Sequence, residues 1–262
     1  MGDAERRFDD RAAEKLLRAY RVPAMAQVRQ AVIDALSPPA RGHILDVGTG
    51  PGLLAVDLAA QLQTGGAVTA LDESPAMCAV ARAQVAGARM QDRVTVVEAD
   101  AARLPLEAGS VDGAVMVQVL EHVRDVAGVL EETARVLRPG GRIVIVDTDW
   151  RSCVWASEDE ARMQRILGVW RRHFQHPSLP ARLPGLLERA GFTVTGIAPV
   201  PVLEVGYSGD SFHQGMIGAI AEAAQRGGIA AADVEAWKHE LRRRDSGRFF
   251  SLTRYLFAAE RA

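Results

Sequence analysis

The stretch His43-Ile44-Leu45-Asp46-Val47-Gly48-Thr49-Gly50-Pro51-Gly52-Leu53-Leu54 constrains the fold more than any other. A short apolar run carries a carboxylate, three glycines alternate with other residues, and an apolar helical pattern begins at Leu53. Glycine reaches backbone conformations closed to other residues and lets a ligand approach the main chain. A strand, a glycine loop and a helix in that order form the unit with which open α/β sheets hold a nucleotide.

The same rhythm continues downstream. Apolar runs at 44–47, 67–71, 94–98, 111–117 and 142–146 predict five strands, and helical spacing at 53–62, from Ser74-Pro75 onward and at 126–137 predicts the helices between them. Strands without period-2 alternation imply a parallel sheet buried on both faces, and right-handed crossovers make it doubly wound. Beyond Asp147 the pattern predicts a long helix through Met163, Ile166, Leu167 and Trp170, a short helix over 184–190 and a strand over 192–197. A helical insertion follows at 205–248, with Asp210-Ser211 as a cap, and then a buried strand at 252–259. The expected organisation is a helical cap over 1–40, an α/β core over 41–204, a helical lid over 205–248 and a last core strand over 249–262.

The spacing of the glycines separates the nucleotides. A dinucleotide loop, G-x-G-x-x-G/A, requires a small residue where Leu53 stands, and no Gly-Lys-Ser/Thr follows as a Walker loop requires. Asp72, at the end of the second strand, is placed to grip both hydroxyls of a ribose.

With "LDVGTGPG" and Asp72, the segments "EADAARLP", "VQVLEHV" and "RVLRPGG" complete a set in fixed order over residues 40–147. The set resembles class I S-adenosylmethionine-dependent methyltransferases, most closely the small-molecule type of ubiquinone and menaquinone biosynthesis. The resemblance implies a Rossmann-like sheet of seven strands with the last antiparallel. It implies S-adenosylmethionine as cofactor, with Gly48, Thr49, Gly50 and Gly52 at its methionine end and Asp46 beneath the loop. Asp72 would hold the ribose, Asp100 and Ala101 would meet the adenine edge, Gln118 would sit beside the cofactor after the fourth strand, and Glu73 and Met77 would also contact the cofactor. The quinone enzymes carry other residues there, so their substrate does not transfer.

Catalytic residues are less legible. Displacement from a sulfonium requires alignment and exclusion of water, and a base only when the acceptor must lose a proton. His122, after the fourth strand, and His213, in the insertion, are the candidate bases. Tyr20, Trp150, His173, Tyr207 and His213 are the expected acceptor contacts, around a small, partly apolar, ring-containing metabolite. No metal is expected, because Gln118 stands where a metal-binding carboxylate would be needed.

Composition narrows the classes. With 48% apolar residues a core is assured, and a net charge of -2 argues against nucleic acid or an anionic membrane as partner. The two cysteines, Cys78 and Cys153, imply no disulfide framework. The charged N-terminus has no signal-peptide core and no apolar run spans a bilayer, so the cytoplasm is the expected location. The expected partner is a small-molecule acceptor, with a homodimer left open. The rival readings are an NAD(P)-dependent oxidoreductase, disfavoured by Leu53 and by the lack of a Tyr-x-x-x-Lys pair, and a non-catalytic S-adenosylmethionine-binding subunit.

Overall fold

The computed structural model describes residues 17–206, 211–243 and 249–262. Helix α1 (Pro23–Leu36) opens with a proline, whose fixed φ suits a first turn, and buries Met25, Val28, Val32, Ile33 and Leu36. It packs on the sheet over the fourth and fifth strands. Residues 23–36 thus add to the helical cover of the sheet. Gly113 makes this contact close, since a Cβ there would lie 3.1 Å from Leu36 Cδ1.

The alternating rhythm is realised as β1 (His43–Val47), α2 (Leu53–Gln61), β2 (Ala67–Asp72), α3 (Pro75–Gly87), β3 (Val94–Glu98), β4 (Val111–Val117), α4 (Val126–Val136) and β5 (Leu137–Thr148). Side chains start two of these helices: Ser74 accepts the Met77 N–H, and Asp125 accepts the Gly128 N–H. The second half adds β6 (Val154–Trp155), α5 (Glu160–Arg171), α6 (Leu183–Arg189), β7 (Phe192–Val205), α7 (Phe212–Arg226), α8 (Ala231–Arg242) and β8 (Phe249–Arg261).

The sheet runs β3-β2-β1-β4-β5-β8, with β7 on the far side of β8. Strands β1 to β5 are parallel, and β8 runs antiparallel to both β5 and β7. The expected seven strands with an antiparallel last strand are present. The two-residue β6 is an addition, pairing with β8 through Val154 and Trp155 beyond the end of β5. Strand β7 is longer than the 192–197 expected. It lies at the sheet edge and contains Pro199 and Pro201, which an edge strand tolerates and which read as breakers in sequence.

Alternate residues of the strands feed two cores. Leu45, Val47, Met116, Ile143 and Ile145 face α4 and α6, while Ile44, Val68, Val115, Val144 and Val146 face α1 and α2. On that second side the insertion packs α5, α7 and α8 around the fully buried Trp237, whose indole N–H donates to Met163 sulfur at 3.3 Å. Glu240 holds α8 to the start of α5, accepting the Glu158 N–H at 2.6 Å and the Arg162 guanidinium at 2.5 Å.

Gly52 is the tightest point between α2 and α3. Its φ is 78°, and a Cβ would stand 2.9 Å from Ala81 Cα. Gly52→Ala combines left-handed strain of about 1–2 kcal/mol with overpacking of about 1–3 kcal/mol. A loss of about 2–5 kcal/mol in urea unfolding is expected, and a loss under about 1 kcal/mol would mean that the two helices separate freely.

Candidate active site

In strand register Val47 pairs with Leu71 on one side and Met116 on the other, so β1, β2 and β4 end together. Between β1 and β4 the order of connection reverses. The crevice at such a switch point is where open α/β sheets bind ligands. The glycine loop, Asp72 and Gln118 all emerge there.

The loop is held in a left-handed course, with φ of 64° at Gly48, 53° at Gly50 and 78° at Gly52. Thr49 fastens it twice: its N–H donates to the Leu71 carbonyl at 2.8 Å and its hydroxyl to Asp46 Oδ2 at 2.6 Å. Burial pushes the Asp46 carboxyl up to about 7, against the Thr49 bond that favours its charge. Both oxygens of Asp72 accept backbone amides, Oδ2 from Gly50 at 2.8 Å and Oδ1 from Ser74 at 2.9 Å. Burial raises the Asp72 carboxyl while these two bonds oppose the rise. A carboxylate has about four acceptor sites, so one per oxygen remains for a pair of hydroxyls. A Cβ at Gly50 would meet nothing within 4 Å, which leaves the space in front of the loop open to a ligand. The residues present thus fit a nucleoside with an extended polar tail.

The other expected cofactor contacts vary in placement. Glu73 is exposed beside Asp72, and Met77 is buried within α3. Asp100 closes a turn by accepting the Ala102 N–H at 2.8 Å, with Ala101 inside that turn and half-buried. Gln118 has a φ of 57°, unusual for a residue with a Cβ, and such strain gathers at functional sites. Its N–H donates to the Val146 carbonyl at 2.7 Å. Its side chain accepts the Tyr20 hydroxyl at 2.8 Å and donates to Thr148 Oγ1 at 3.2 Å. Tyr20 thus reaches Gln118, its phenol pushed up to about 12 by burial.

Glu121 and Arg254 at this end escaped the sequence reading, and Asp147 entered it only as a carboxylate at the end of the fifth strand. Glu121 is fully buried, and its Oε2 accepts the Thr148 N–H at 3.2 Å and the Trp150 indole N–H at 3.1 Å. Its Oε1 accepts no hydrogen bond among the described residues, and His122 Nε2 lies 3.6 Å from it. Burial raises the Glu121 carboxyl to about 7. Asp147 is buried under the same turn, and burial together with the Glu121 charge holds its carboxyl well above the usual range. Arg254 of β8 is fully buried, opposite Thr148 in register.

The remaining expected residues divide. His122 keeps to the rim, its ring 5.2 Å from that of Phe174. Trp150 is a packing residue: its ring stacks on Phe174 at 4.4 Å and meets Trp170 edge-on, and its N–H is spent on Glu121. His173 stacks on Trp170 at 4.9 Å, away from Gln118 in its ring contacts. His213 is committed to the insertion, with Nδ1 2.7 Å from Glu204 Oε2 and the ring against Phe250. Glu204 also accepts the Phe212 and His213 N–H groups and so starts α7, where Ser211 makes no side-chain cap bond. Asp210, the other expected cap residue, and Tyr207 lie outside the described residues.

A parallel sheet with one antiparallel strand next to the edge, a left-handed glycine loop and an acid across the switch point define a Rossmann-like nucleotide-binding protein. Residues 45–145 match the methyltransferase domain family. A ubiquinone biosynthesis O-methyltransferase of Xanthomonas axonopodis pv. citri is 31% identical over 179 residues, 67% of this chain and 72% of that protein. An uncharacterised 37.1 kDa protein in transposon TN4556 of Streptomyces fradiae is 34% identical over 176 residues, and the match spans 66% of this chain but only 49% of that one. The fold matches that of a methyltransferase-like protein of Bacillus halodurans C-125, with a TM-score of 0.64 over 89% of this chain and 98% of the other at 17% identity. The chain belongs to the class I S-adenosylmethionine-dependent methyltransferases that act on small molecules, and S-adenosylmethionine is its cofactor. Among the described residues no helix is long and apolar enough to cross a membrane.

Asp72→Ala removes both the ribose acceptors and the tie to Gly50. Charge-assisted bonds of this kind contribute about 1.5–3 kcal/mol each, so S-adenosylhomocysteine should bind at least about tenfold more weakly by calorimetry. NAD should not compete in the unaltered protein. A change below about threefold would leave Asp72 as a loop tie alone.

Proposed function

We propose that the chain methylates an oxygen of a small, partly apolar, ring-containing acceptor, and that Glu121 receives the proton the acceptor loses. The observation that carries this reading is Oε1 of the buried Glu121 carboxyl, just after β4, which has no hydrogen-bond partner among the described residues and lies 3.6 Å from His122 Nε2, on a group raised to about 7. A base is most effective when its pKa lies near the working pH. The names of relatives such as the Xanthomonas O-methyltransferase support oxygen as the acceptor atom.

Bound S-adenosylmethionine supplies an electrophilic methyl group on a sulfonium with a neutral thioether as leaving group. The protein's own work is then positional. The glycine loop and Asp72 fix the nucleoside and its tail, and Thr49 keeps the loop from shifting. Gln118, locked between Tyr20 and Thr148, gives the site a rigid floor. The acceptor lies between this floor and α7, whose Phe212 supplies an aromatic wall. Glu121 is fully buried and Tyr20 half-buried, which limits the access of water to this end of the site. As the acceptor oxygen attacks in line, its O–H bond breaks and the proton passes to Glu121 Oε1. His122, at the rim, is placed to pass that proton to solvent.

The groups that face Glu121 are Asp147, Arg254, Tyr20 and His122, and of these only Arg254 carries a permanent charge. The Glu121 carboxyl is raised, so its basic form appears only as pH climbs through about 7. The rate should therefore rise across that range and level off above it. The same sign makes the folded state lose stability from the ordinary glutamate range up to about 7, where the buried charge must form. Glu121→Gln should lower kcat by about 10²–10⁴-fold, flatten the pH profile and leave S-adenosylhomocysteine affinity unchanged. Retention of the full rate by Glu121→Gln in a labelled-methyl assay sinks the assignment.

A further inference from the structure

Arg254 is the residue of this site that the methyl-transfer reading leaves unused. It stands in the middle of β8, where Phe250, Leu252, Arg254 and Leu256 point alternately toward the same core. A guanidinium therefore occupies a position that the strand pattern reserves for an apolar side chain. It is fully buried, and Nε, Nη1 and Nη2 all lack a hydrogen-bond partner among the described residues. Its close packing partner is the Phe212 ring, 4.9 Å from the guanidinium carbon.

Such an arrangement is expensive. A buried cation without a bonded counter-charge is among the most destabilising features a core can hold, and apolar replacements of buried charges are often neutral or stabilising. The surroundings do not relieve it. Glu121 lies within electrostatic reach but spends Oε2 on Thr148 and Trp150, Asp147 is held toward its neutral form, and Tyr20 is a neutral phenol bonded to Gln118. A ring face beside the guanidinium favours the cation but provides no acceptor for its five N–H donors.

We propose that Arg254 is the acceptor-anchoring residue and that the acceptor carries a carboxylate, held by the guanidinium through two parallel hydrogen bonds. The proposal deepens the methyltransferase reading of the same site and rests on it. A planar carboxylate matches the guanidinium fork. The charge count selects a monoanion over a phosphate dianion, because Arg254 is the one buried cation facing this end of β4 among the described residues and Glu121 stands nearby. Its place on β8, opposite Thr148, fixes the carboxylate at the β5–β8 side, while Gln118 marks the β4 side where the glycine loop opens. The acceptor thus spans from the guanidinium toward the cofactor, with its ring beside Phe212 and its reacting oxygen toward Glu121.

Two measurements test this. The first is the thermal stability of Arg254→Met without ligand. An anchoring role predicts that the apolar variant is at least as stable as the unaltered protein, and lower stability would make Arg254 a structural residue and overturn the proposal. The second is calorimetry in saturating S-adenosylhomocysteine with benzoate, benzamide and phenyl phosphate as probes. Benzoate should bind at least about tenfold more tightly than benzamide and no more weakly than phenyl phosphate. Arg254→Met should abolish the preference, and Arg254→Lys should restore part of it. Absence of benzoate binding, equal binding of benzamide, tighter binding of phenyl phosphate, or a preference that survives in Arg254→Met each overturns the carboxylate assignment. S-adenosylhomocysteine affinity should be the same in all three proteins. Failure of the unaltered protein to bind it would instead overturn the methyltransferase reading.

Discussion

The 2.8 Å hydrogen bond from the Gly50 N–H to Asp72 ties the loop after β1 to the end of β2. That contact depends on parallel register, because Val47 and Leu71 must end level for a loop from one strand to reach the acid of the next. It depends equally on left-handed backbone at Gly48, Gly50 and Gly52, which turns the loop over the strand ends and into α2. Asp72 would otherwise face the carboxyl ends of several strands unpaired. The amides of Gly50 and Ser74 favour its charged form against the burial that raises it, and each oxygen keeps an acceptor site.

A second constraint lies one strand further along. Glu121 just after β4, Asp147 near the end of β5 and Arg254 in the middle of β8 are all fully buried, and among the described residues Glu121 Oε1 and the three guanidinium nitrogens of Arg254 have no hydrogen-bond partner. A core selected for stability alone would not contain them, because burial without bonding costs several kcal/mol per charged group. Their coexistence is understandable as stability given up for a polar, water-poor chamber in which a proton and a carboxylate can be handled. Gln118 carries part of the same cost in its left-handed backbone.

The insertion between β7 and β8 is held together by ordinary means. Glu204 starts α7, Glu240 binds α8 to α5, and Trp237 fills the space among the three helices. His213, which a reading of motifs makes a base, is drawn into that framework through Glu204. The aromatic residues after β5 behave alike: Trp150 and Trp170 pack with Phe174 and His173 as a block that supports Glu121 from outside. Trp150, Trp170 and His213 thus make their contacts with the surrounding framework.

The alternation of strand and helix, the glycine loop, Asp72 and the cofactor class were all legible in the sequence, because each depends on local pattern: burial period, turn chemistry and a fixed spacing from one strand end to the next. The buried polar cluster was not, because its residues come from the segment before α1, the turn after β4, and strands β5 and β8, and no short-range rule links Tyr20, Glu121, Asp147 and Arg254. Arg254 left one faint trace, a charge on the inward phase of an alternating strand, and Glu121 stood inside a recognised motif beside a histidine that drew the attention. Only the tertiary structure decided which polar residues are buried together and left unpaired, since pairing is a property of distances between strands remote in sequence. The sequence determined the loop and the acid at the switch point; the packing of the last strand against the fifth decided that a guanidinium is buried opposite Thr148.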